Sequence, residues 1–227
     1  LYVLVKPLLF DVSQENCHCF GTVLVLDDTR TIIKNLVLLA LSAFMFWQKG
    51  VKAVKMDDIA NDLTISKRTL YETYENKEVL LLEVLKHHKQ QQHNHVAEFS
   101  EKVNGNVMDI IFELYNMHVE SCKKINPIFY EELKKYQKVK EYLAVTADKD
   151  EKDTQTFFKA GIEQGYFRPE LNYNVLSKIM RLSAKYVVEH EDISQYDCDF
   201  IFKNVIFVFF RGFCTIKGIE AVDKKFT

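Results

Sequence analysis

Apolar residues recur along most of this chain at helical spacing. From Thr29 onward, Ile32, Ile33, Leu36, Leu39, Ala40, Ala43, Phe44 and Trp47 fall on one broad face, with Lys34, Asn35, Gln48 and Lys49 outside it. Gly50 closes that helix as a C′ residue. A second, shorter helix is predicted over 56–63, burying Met56, Ile59, Ala60 and Leu63. Ser66 N-caps a third, with Leu70 pointing inward. Asn76 caps a fourth, whose apolar side carries Val79, Leu80, Leu82 and Val84 before the polar run HHKQQQHNH. Beyond Val96 the pattern predicts helices at 97–104, 106–123, 126–144, 149–164, 172–190 and 197–217. The breaks are Asn104-Gly105, Asn126-Pro127, Gly165 and Arg168-Pro169. Residues 1–28 differ: Leu1 to Val5 and Thr22 to Leu26 are β-branched and apolar, and read as a hairpin or as an extension.

Composition agrees with an all-α fold. Only 7 Gly and 3 Pro in 227 residues leave few breakers, and 48% apolar content is ample for a core. The apolar run Leu36 to Trp47 is twelve residues long, short of the roughly 20 that span a bilayer, so no membrane partner is expected. Among five cysteines only Cys17-His18-Cys19 has ligand-like spacing, and with no second ligand pair nearby neither a disulfide framework nor a metal site is implied; a reducing, cytoplasmic setting is the expectation. The net charge of −2 hides an asymmetry, for 29–77 holds eight Lys/Arg against five acids. A basic head on an acidic body is the charge pattern of a small DNA-binding module.

The chemistry is concentrated in MDDIANDLTISKRTLYETYENKEVL, residues 56–80. Two short helices joined by a tight turn make a helix-turn-helix, in which the second helix enters the major groove by its N-terminal end. Thr64, Ser66, Lys67, Arg68 and Thr69 would be presented there. Arg68 and Lys67 donate to guanine O6 and N7 or to phosphates, and Ser or Thr serves either strand. Tyr71 would offer its phenol to a phosphate, and Lys77, opening the fourth helix, would grip another.

Residues 30–80 resemble the DNA-binding domain of the TetR/AcrR family of transcriptional regulators. The likeness lies in Phe46 with Gly50, Met56-Asp57-Asp58-Ile59-Ala60, Ile65-Ser66-Lys67-Arg68-Thr69-Leu70-Tyr71, Tyr74, and Lys77-Glu78 with Leu80. Three positions depart from the family pattern. Thr64 stands where Gly is usual, Leu63 where a small residue is usual, and Lys55 where a Ser or Thr caps the second helix and touches a phosphate. The resemblance implies a non-family extension at 1–28, a three-helix DNA-binding head at 29–77, and a larger helical ligand-binding and dimerisation domain at 78–227. It further implies a homodimer, a repressor bound to a near-palindromic double-stranded operator and released by a small-molecule effector. No cofactor is implied.

Within the larger domain, pattern alone offers Met108, Phe112, Tyr115, His118, Phe129, Tyr130, Phe157 and Tyr166 as ligand-contact candidates. The passage Gly161 to Pro169 is similar to a helix-to-loop segment common in the family. The last helix is apolar on more than one face and supplies Phe202, Val205, Phe209 and Phe213 as dimerisation candidates. His87, His88, His93 and His95 read as a solvated connector rather than a metal site.

Two other functions compete. Asp57-Asp58 with Asp62 has the DDxxxD spacing of helical prenyl-transferring enzymes, but no second acidic cluster faces it, and acids in a first turn are favoured by the helix dipole. No glycine-rich phosphate loop, GxSxG or HExxH is present, so no enzyme is expected. A helical adaptor that binds protein through the same exposed edge is the other alternative, and salt-dependent duplex binding separates the two.

Overall fold

A computed structural model describes residues 29–189, 196 and 198–226, with backbone alone at 29–33, 147–152, 184, 185, 187–189, 198, 199, 202 and 226. The candidate hairpin and Cys17-His18-Cys19 lie outside the described residues. The fold is all-α. The helices are α1 (Thr29–Lys49), α2 (Met56–Asp62), α3 (Lys67–Thr73), α4 (Lys77–Lys102), α5 (Val107–Lys124), α6 (Pro127–Leu133), α7 (Gln137–Glu163) and α8 (Tyr173–Glu189). Then come α9 (Cys198–Ile201), a π-helical turn (Phe202–Ile206), α10 (Phe207–Phe213) and α11 (Ile216–Phe226).

Several helices run differently from their apolar periodicity. α4 continues through the polar histidine run to Lys102, because no Gly or Pro interrupts it. α7 likewise joins the predicted 149–164 helix to the end of the one before it. The predicted 126–144 helix instead splits at Lys134–Tyr136, where short bonds from Lys135 N–H to Glu132 O and Tyr136 N–H to Leu133 O tighten the turn. The predicted 197–217 helix instead breaks at Cys214, whose backbone is extended and bridges to Phe167, and α11 follows from Ile216.

The chain forms two compact units. One holds the described residues 29–91 and 124–145. Phe46, Val51, Ile59, Leu70, Leu80 and Leu81 are fully buried in it. α6 belongs to this unit and is tied to the end of α1: Asn126 N–H donates to Trp47 O at 2.7 Å, and the Asn126 side chain caps α6 at Ile128 N–H. Gly50 has φ +79°, and a Cβ there would stand 2.9 Å from Ile128 Cγ2. Glycine is therefore required twice over, by backbone hand and by the closeness of α6.

The other unit holds the described residues 92–123 and 146–226. Its centre is aromatic. Phe158, Phe167, Tyr173 and Phe213 pack with every pair of centroids 4.5 to 6.4 Å apart. Gly161 makes room for this cluster, since a Cβ would fall 2.0 Å from the Phe167 ring. The Gly161-to-Pro169 passage ends α7 with Gly165 at φ +75°, and Arg168 N–H then donates to Phe213 O. Burial pushes the Cys214 thiol up to about 11. Cys122 is disulfide-bonded, which the cysteine spacing did not imply. Among the described residues, no helix is long and apolar enough to cross a membrane.

Candidate nucleic-acid interface

α2 and α3 meet at a turn whose geometry follows from three residues. Leu63 ends α2, Thr64 takes φ +55°, and the chain is in extended backbone at Ser66. Thr64 N–H donates to Asn61 O and Ile65 N–H to Ala60 O, the paired capping bonds of a left-handed C′ residue. Thr64 therefore holds the conformation that glycine normally supplies. A β-branched residue there carries about 1–2 kcal/mol of backbone strain.

α2 opens without a side-chain acceptor at Lys55. Instead Asp58 accepts the Lys55 backbone N–H at 2.9 Å, and Asp57 and Asp58 both sit where the dipole favours acids. The Lys55 side chain is exposed. α3 opens on Ser66, whose hydroxyl accepts from Thr69 N–H at 3.0 Å and lies 2.8 Å from Thr69 Oγ1. Leu70 alone of this helix is buried, at 0% exposure, and it orients the rest. Thr64, Ser66, Lys67, Arg68, Thr69 and Tyr71 are consequently all exposed, and they form one edge at the start of α3. Tyr71 is 47% exposed, against 7% for Tyr74 one turn later, whose phenol burial pushes up to about 12.

The cations of this edge are paired with acids. Lys67 Nζ lies 2.6 Å from Asp57 Oδ2, which joins the first turns of α2 and α3, and Asp57 raises the Lys67 pKa. Arg68 Nε donates to Glu72 Oε1 at 2.7 Å. Neither acid stood out as a partner in the sequence, although the four-residue spacing of Arg68 and Glu72 was a readable signal.

Lys77 sits differently from the exposed edge. Its ammonium donates to Val51 O and Val54 O, both at 2.9 Å, and burial lowers its pKa against the opposing fields of Glu132 and Asp58. Two of three donors are spent on the α1–α2 loop, which leaves one for an outside acceptor. The same loop is held from the other side by buried Glu132, which accepts Lys52 N–H at 2.7 Å. Asn76 caps α4 at Val79 N–H, as its position in the sequence predicts.

Of the ligand-contact candidates, Met108, Phe112, Tyr115, His118, Phe157 and Tyr166 fall in the second unit, while Phe129 and Tyr130 fall in the first. Met108, Phe112 and Phe157 are core residues, with Tyr115 and Tyr166 packed half-buried beside them. His118 is buried, with Nε2 3.6 Å from Cys122 Sγ. Phe129 and Tyr130 pack edge to face, and burial raises the Tyr130 pKa. Of the dimerisation candidates, Val205 and Phe209 are half-buried, Phe213 is 1% exposed within the aromatic core, and the Phe202 side chain lies outside the described residues. The histidines of α4 go separate ways. His88 packs edge-on against Trp47, and His95 Nε2 lies 2.6 Å from Glu113 Oε1.

Residues 38–84 match the family model of bacterial regulatory proteins, tetR family. That stretch takes in all of α2 and α3, so the helix-turn-helix module is of the tetR type. Among solved structures, the chain is similar to the ketosteroid transcriptional regulator KstR2 of Mycobacterium tuberculosis, at 21% identity and TM-score 0.48, covering 84% of this chain and 97% of that one. It is also similar to a transcriptional regulator of the TetR family from Vibrio parahaemolyticus, at 18% identity and TM-score 0.44, covering 80% and 99%. No curated protein sequence matches the chain.

Proposed function

We propose that the chain is a homodimeric, ligand-responsive transcriptional regulator of cytoplasmic DNA, acting as a repressor. Residues 29–77 form its DNA-binding head, and 78–227 its effector-binding and dimerising part. The observation that carries this reading is the leading edge of α3. Six exposed polar or aromatic residues stand there along the turn, the N-cap and a helix anchored by one buried leucine. Lys67 exchanges its carboxylate partner for a phosphate, Arg68 offers its outer nitrogens to a base, Tyr71 and the last donor of Lys77 take phosphate oxygens, and the hydroxyls of Ser66 and Thr69 reach the adjoining backbone.

The dimer reading is supported by α8. Val175, Ile179, Leu182 and Tyr186 recur at helical spacing on one face and are 54%, 44%, 61% and 51% exposed. An apolar stripe of that length is suited to a second copy of itself across a two-fold axis. Two heads then read half-sites one helical turn apart. A small apolar effector binds in the second unit, among residues of the Met108, Phe112 and Tyr115 neighbourhood, and shifts the spacing of the heads. Selection of bound duplexes from a random pool tests the reading. A near-palindromic consensus is expected, and recovery of no enriched sequence contradicts it.

A further inference from the structure

The geometry points to Glu72 as a positioning residue that aims Arg68 at a guanine; this inference rests on the DNA-binding reading above. Arg68 Nε donates to Glu72 Oε1 at 2.7 Å. A guanidinium carries five donors in one plane, and a bond at Nε leaves the outer Nη pair as a two-pronged fork. That fork matches O6 and N7 of guanine in the major groove. The Arg68 side chain is 87% exposed, so packing does little to fix its direction and Glu72 is what does. Lys67, one residue earlier, has a point charge already held by Asp57 and no fork to offer.

The pair makes little sense as helix stabilisation. Arg68 is in the first turn of α3 and Glu72 in its last, each at the end where the dipole disfavours its charge. The order, cation before acid at four residues, is also the weaker one for a helical ion pair. What the contact supplies is an arginine ordered before docking, so less side-chain freedom is lost when the base is met.

The test uses the full chain and duplexes selected by the wild type. Arg68→Ala identifies the base pair whose preference depends on Arg68. At that pair, Glu72→Ala lowers the preference for guanine by about tenfold, with little change in binding to random duplex. Glu72→Gln, which keeps an acceptor, retains part of the preference. Undiminished guanine preference in Glu72→Ala overturns the inference alone. So does a uniform gain in affinity for all duplexes, because Glu72 would then be only a screening charge. A wild type that binds no duplex overturns the DNA-binding reading and this inference together.

Discussion

Thr64 shows how one residue can meet a backbone demand it is poorly suited to. α7 ends with the same capping bonds, and there the left-handed position is Gly165. In the turn between α2 and α3 it is Thr64 at φ +55°. Thr64→Gly relieves the strain but adds freedom to the unfolded chain, so stability should rise by up to about 1 kcal/mol. Denaturant titration reads this, and a loss of stability would mean the Thr64 side chain supports the turn. His88 is the second residue with a measurable signature. Burial first, and neighbouring His87 second, lower its pKa from 6.5 to about 4. The folded protein thus resists protonation that the unfolded chain accepts, and stability is full above about pH 6.5 and falls as pH drops toward about 4. His88→Gln should flatten this acid loss, which is on the order of 3 kcal/mol. An unchanged pH profile in that variant would place the titrating group elsewhere.

At the level of elements, the helix-turn-helix was readable because its signals are local: Gly50, Ser66 and Asn76 are caps, and Leu70 is the one inward apolar residue of α3. Helix lengths were less readable, since nothing in the α4 polar run stops a helix, and only tertiary packing decides whether it continues. The role of α6 was hidden for the same reason. Its Glu132 reads as a surface acid of an amphipathic helix, yet it is buried and holds the α1–α2 loop that Lys77 holds from the other side. Lys77 thereby joins the recognition module to α4. Glu132→Ala strands the Lys52 N–H and should cost about 1–3 kcal/mol, and Glu132→Gln should cost less. Equal losses in urea melts would show that the hydrogen bond is not what matters.

For the whole molecule, the second unit is where sequence reasoning was weakest. Apolar residues there serve core, effector and partner alike, and their type does not separate these uses. Phe213 illustrates this: it was read as partner-facing, and it packs in the aromatic centre. An exposed apolar face lies on α8, where Leu182 is 61% exposed, while in the last-helix segment Val208 is 63% exposed. Leu182→Lys should turn dimers into monomers in sedimentation velocity while leaving helicity intact, and a dimer that survives this change would move the interface off α8. The exposed Lys67–Asp57 pair bears on function at this scale too, because duplex DNA must displace Asp57 before the Lys67 ammonium is free to bind.

The central claim, that α3 is a DNA-reading edge, is tested most directly by the affinity of the full chain for its selected duplex as salt is raised. Each neutralised phosphate releases counterions, so log affinity should fall linearly with log salt. A loss of about a hundredfold or more is predicted between about 50 and about 200 mM, with a shallower slope for Lys67→Ala. Binding that is insensitive to salt, or equal for duplex and an unrelated protein surface, would contradict it.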